Sequence, residues 1–109
     1  MRGPEAVDSR VWGGRCTAWD LLDRPGLRVT EEHMPAGTEE VLHVHDRAWQ
    51  AFYVLSGQLA IELETGVLAL PAGRVAEVSP GEQHRVVNDG PEDLRFVVIS
   101  APSTRGDRR

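Results

Sequence analysis

HVHDRAWQAFYVLSG, residues 43–57, and GEQHRVVN, residues 81–88, are the segments from which the rest of this chain can be laid out. His43 and His45 are two apart, so on an extended backbone they share one face. Gln50 opens the next extended run, in which Gln50, Phe52 and Val54 fall on one face. No single strand puts both His45 and Gln50 on the same side, so the intervening Asp46–Trp49 must turn or bulge. In the second segment a Pro80-Gly81 turn leads into His84, Val86 and Asn88, again on one face. If these runs stack in a rolled sheet, three imidazoles and one amide converge, which makes a metal site the first hypothesis.

Working outward, glycine and proline interrupt the chain every eight to fifteen residues and leave little room for long helices. Short runs rich in β-branched and aromatic residues lie between the breaks: LRVTEEHM, QAFYVL, QLAIELE, GVLAL, RVAEVS and LRFVVIS. In one of them Leu59, Ile61 and Leu63 alternate with Gln58, Ala60 and Glu62, the pattern of a half-buried antiparallel strand. Many short strands at this spacing predict an all-β sandwich or barrel. One helical turn is expected around AWDLLDRPG, and residues 1–10 and 103–109 are expected to be loose termini of a single domain spanning 1–109.

Bulk properties exclude several function classes. With 109 residues there is material for one core. A net charge of -5 speaks against nucleic acid or an anionic membrane as partner. No apolar stretch approaches the length of a membrane-spanning helix, and MRGPEAVDSR lacks the apolar core of a signal peptide, so a cytoplasmic protein is the expectation. Cys16 is the only cysteine and lies outside both segments, which removes disulfides and thiolate clusters from consideration.

Both segments resemble the two motifs of the cupin superfamily, G-x5-H-x-H-x4-E-x6-G and G-x5-P-x-G-x2-H-x3-N. Gly37, His43, His45 and Gly57 carry the first (37–57), and Gly73, Gly81, His84 and Asn88 the second (73–88). Gln50 stands where the family usually has glutamate, and Ser79 where it has its first proline. The resemblance implies a double-stranded β-helix (jelly-roll) barrel around one divalent metal ion, with His43, His45, Gln50 and His84 as ligands. Imidazoles with one oxygen ligand suit Fe, Mn, Co, Ni, Cu or Zn. A neutral amide in place of a carboxylate leaves the centre one charge more positive, which favours anionic oxygen donors, and it weakens metal retention.

By the same resemblance the chain is a metal-dependent enzyme acting on a small organic substrate, of dioxygenase or of isomerase, cyclase or lyase type. The alternative is a non-catalytic binding or structural barrel. Met34, Phe52, Phe96 and Val98 are the expected substrate wall and make the interior mostly apolar, favouring an aromatic substrate over a sugar. Glu32 shares strand parity with Met34 and is the candidate acid–base group. A homodimer is expected through an outer sheet face bearing Tyr53, Leu55 and Val97.

Overall fold

The computed structural model describes residues 3–109. Ten strands follow a short 3-10 turn at Pro4–Ala6: β1 (Ser9–Trp12), β2 (Cys16–Arg24), β3 (Leu27–Met34), β4 (Thr38–Glu39), β5 (Trp49–Ser56), β6 (Gln58–Leu63), β7 (Gly66–Pro71), β8 (Val75–Val78), β9 (His84–Asn88) and β10 (Leu94–Ala101). They form a six-stranded sheet in the order β1-β2-β3-β10-β5-β8 and a four-stranded sheet in the order β4-β9-β6-β7. Every pairing is antiparallel. No α-helix occurs among the described residues, and none is long and apolar enough to cross a membrane.

The two sheets close over a core in which alternation does the sorting. Val54 and Phe96, paired across β5 and β10, lie inside with Leu59, Ile61, Val86 and Leu94, all essentially inaccessible. Tyr53, Leu55 and Ile99 from the opposite parity are partly exposed on the outer face. Gly57 makes the β5–β6 turn at φ 82, and a Cβ there would collide with the Asp93 carbonyl, so the motif glycine is required twice over. Asn88 ends β9 as a brace, donating from its amide to the Met34 and Glu92 carbonyls at 2.8 and 2.9 Å.

Two expectations are corrected here. AWDLLDR continues as strand β2 instead of turning helically, because it pairs with both β1 and β3 and its polar groups are satisfied by those ladders. The described parts of the termini are not loose. Ser9 and Arg10 pair with Trp19 and Ala18. At the other end, Arg109 exchanges backbone hydrogen bonds with Val44 at 2.8 and 3.0 Å, and Ser103 and Asp107 are buried. Polar composition does not make these segments solvated, because their polar groups are taken up by partners within the protein.

Candidate metal centre

Along β3, β5 and β10 the inward positions change character from one end of the barrel to the other. On β3 they run Met34, Glu32, Thr30, Arg28; on β10 Leu94, Phe96, Val98, Ser100; on β5 Val54, Phe52, Gln50. The pairings Leu94↔Met34, Val98↔Thr30, Ser100↔Arg28 and Ser100↔Gln50 put the polar members at one level. The barrel therefore has an apolar floor and a polar open end, where a cavity of about 420 Å³ lies.

His43, His45 and His84 meet beneath this opening, with one candidate ligand atom from each lying within 4.8 Å of the others. His43 and His84 face each other through a backbone bridge, with ring centroids 4.4 Å apart. His45 bridges to Arg108. The motifs are tied together by the Gly81 amide, which donates to the His45 carbonyl at 2.7 Å from a residue at φ 79. Local hydrogen bonds fix two rings. His43 Nδ1 donates to the Val41 carbonyl at 2.7 Å and His84 Nδ1 to the Glu82 carbonyl at 2.9 Å, which leaves each Nε2 as a lone-pair donor.

Gln50 lines the same cavity, and its amide nitrogen donates to Ser100 Oγ at 3.1 Å. That bond leaves Oε1 as the free end, and Oε1 is buried without a hydrogen-bond partner. His84 Nε2 and His45 Nδ1 are buried and unpartnered as well. Leaving buried acceptors unsatisfied costs about 1–3 kcal/mol each. A cation shared by imidazole nitrogens and an amide oxygen satisfies them together, so the donor set fits a divalent transition ion.

The electrostatics suit that role. Burial pushes His43 down to about 4, against the pull of the Val41 carbonyl. Burial likewise lowers His45 and His84, so all three rings are neutral near pH 7. Glu40, not singled out in the sequence, lines the cavity and is pushed up to about 8 by burial and then by Glu32, although it accepts the Val86 amide at 2.9 Å. Glu32 lines it too, with burial raising its carboxyl against the nearby Arg10 and the Thr30 hydroxyl.

These shifts predict the pH response of metal-free protein. Between about pH 4 and 6.5 the unfolded chain carries a proton on residue 43 that the folded chain lacks, so stability rises with pH. Between 4.5 and 8 the folded chain holds a proton on Glu40 that the unfolded chain has released, so stability falls as pH rises. From pH 6.5 to 8 only the second slope remains of this pair. Thermal melts of chelator-treated protein should show melting temperature dropping across that window, and Glu40→Gln should flatten the drop. A rising melting temperature there would contradict the assignment.

The remaining expected site residues divide by depth. Phe52 and Val98 line the cavity, whereas Met34 and Phe96 do not; both are fully buried in the core toward the closed floor. The substrate-wall expectation is corrected for those two, because parity fixes which face a residue takes but not its height in the barrel. The mostly apolar interior is corrected with it. Arg10, Arg28, Thr30, Ser100, Thr104 and Arg108 also line the cavity, and apolar side chains come only from Trp12, Phe52 and Val98. Cys16 is fully buried in the core, where desolvation raises its thiol, and takes no part in the lining.

A two-sheet antiparallel barrel with a histidine triad at its open end defines the class of small β-barrel proteins with a candidate internal metal centre. The Cupin domain family matches residues 30–100, and the chain belongs to that family. An oxalate-binding protein of Thermotoga maritima is 29% identical over 66 residues, 61% of this chain and 54% of the relative, so the match spans about half of that protein. A conserved double-stranded β-helix protein of Klebsiella pneumoniae shares the fold at a TM-score of 0.83 and 26% identity, over 100% of this chain and 94% of the other. A predicted oxalate decarboxylase of Thermotoga maritima is similar at a TM-score of 0.85 and 19% identity, over 94% and 99% of the two chains.

Proposed function

We propose that this cupin is a metal-dependent enzyme acting on a small organic substrate, its ion held by His43, His45, His84 and Gln50. The observation that carries the reading is the buried, unpartnered pair of His84 Nε2 and Gln50 Oε1. A bound divalent ion supplies Lewis-acid polarisation of an oxygen donor on the substrate. The chain's own residues supply the rest. Phe52 and Val98 form the apolar part of the substrate wall. Glu40, anchored through one oxygen by the Val86 amide, holds a proton near neutral pH. Glu32, whose carboxyl is also raised by burial, is the second carboxyl at the same cavity. Two carboxyls with raised pKa favour proton-transfer chemistry, of isomerase, cyclase or lyase type, over oxygen chemistry.

The test is turnover by metal-loaded protein of small enolisable carbonyl compounds, followed by proton NMR in deuterium oxide. Deuterium should enter beside the carbonyl, and Glu40→Gln or Glu32→Gln should slow this by about 100-fold at unchanged metal content. A second reading, a non-catalytic binder, draws on the relative named for oxalate binding. Compounds that bind and are recovered with no exchange would favour it.

The same reading has the chain working as a homodimer. Val75, Tyr53 and Val97 are neighbours across β8, β5 and β10, and with Leu55 and Ile99 they form an apolar strip on the outer face. Light scattering should give twice the chain mass of 12.0 kDa, and Tyr53→Glu should shift it to one. A wild-type monomer would refute the dimer.

A further inference from the structure

Beside the unpartnered acceptors of the candidate centre, the cavity holds two unpartnered donors. Trp12 Nε1 and Arg28 Nε are buried N–H groups with no acceptor, and both residues line the cavity. Arg28 is held in place from its other nitrogens, by Asp20 at 3.0 Å and by the Thr104 hydroxyl at 3.2 Å. Arg108, carried in by the C-terminal segment that bridges to His45, lines the same space and has no carboxylate or hydrogen-bond partner among the described residues. Its charge is felt by Glu32, Glu40 and all three histidines.

The charge count agrees. Arg10 and Arg28 share the single Asp20 carboxylate at 3.0 Å each, and Arg105 pairs with Asp23 at 2.7 Å. Four lining guanidiniums thus face two aspartates and the lining Glu32, while Glu40 is protonated near neutral pH and the ligands of the candidate centre are all neutral, so positive charge remains in excess even with Glu32 ionised. A recess with excess positive charge and idle N–H donors calls for an anion. Planar guanidinium forks match a planar carboxylate bidentately.

We propose that Trp12, Arg28 and Arg108 form a carboxylate subsite at the cavity mouth, so that the substrate is a small carboxylic acid held between this subsite and the histidine triad. The assignment rests on the enzymatic reading above for the triad, but the subsite itself stands on the donors. Arg108 is the specificity-determining residue, because among the described residues it is the one lining arginine without an ionic partner.

The probe is oxalate, with its neutral diamide as control, titrated calorimetrically into manganese-loaded and chelator-treated protein. Oxalate should bind at least about tenfold more tightly than the diamide. Arg108→Gln, at an exposed position that leaves the core intact, should weaken oxalate by about 10- to 100-fold without changing metal content, and Arg108→Lys should recover part of the loss. Trp12→Phe keeps an aromatic ring, removes the donor, and should weaken oxalate several-fold. Unchanged oxalate affinity in Arg108→Gln, equal binding of the diamide, or displacement of oxalate by a lower concentration of inorganic phosphate would each overturn the carboxylate subsite. The two readings separate cleanly. Loss of metal binding with the Arg108 dependence intact in metal-free protein refutes only the metal centre. Metal retention with no Arg108 dependence refutes only the subsite.

Discussion

His84→Ala should reduce metal content from about one ion per chain to trace, a loss of affinity of at least about 100-fold. Loss of groups that merely orient a ligand costs 10–100-fold, and His84 is placed to be a ligand itself. The residue is 1% exposed, its Nδ1 is committed to the Glu82 carbonyl, and its Nε2 has no partner among the described residues. Elemental analysis of untagged protein purified without added chelator reads the effect. Since His84 also fills space beside Phe52, a fold check by circular dichroism belongs with it. His43→Ala, closer to the opening, should give the same loss with less effect on packing. Gln50→Glu should move metal retention the other way, because a carboxylate lowers the charge of the centre by one and can accept from the Ser100 hydroxyl that now faces the amide. Equal trace metal in wild type and His84→Ala would remove the basis of the metal centre.

Asp107→Ala should cost about 3 kcal/mol of stability and lower metal affinity by about tenfold. The Asp107 carboxylate is buried and accepts the backbone amides of Asp46, Arg47 and Ala48 at 3.0–3.1 Å. These three amides belong to the bend between His45 and Gln50, so one side chain from the end of the chain sets the loop that separates two candidate ligands. Burial works against the charged form, but the three amides outweigh it and hold the carboxyl below its ordinary value. Because the folded pKa is lowered, this contribution is present above about pH 4 and fades as pH falls through the lowered value. Denaturant titration at neutral pH reads the full loss. Asp107→Asn, which keeps one acceptor oxygen, should lose about half as much. A variant with wild-type stability and wild-type metal content would show that the bend holds itself.

Much of the fold was legible because a strand's period of two is a local property. The alternation at Leu59, Ile61 and Leu63, the shared face of Gln50, Phe52 and Val54, and that of His84, Val86 and Asn88 need no knowledge of partners. The glycines at 57 and 81 were equally readable, since positive φ is a demand of the backbone at those turns. The strand at AWDLLDR was not, because its state is decided by the neighbours β1 and β3 and not by its own pattern.

At the candidate site, the residue types on offer, the shared face of His43 and His45, and that of His84 with Val86 and Asn88 were all readable from local spacing. Which of the inward residues reach the cavity depends on the folded arrangement of the strands. Met34 and Phe96 went to the floor while Glu32 and Val98 stayed at the opening, because height along a barrel comes from the register between strands. That arrangement alone also recruited Glu40, Asp107 and Arg108. Their positions depend on pairing across many tens of residues, with β9 for the first and with the loop of the histidine pair for the other two. A polar stretch carries no local sign of such a partner, since hydrogen bonds to water and to a distant backbone look alike in sequence.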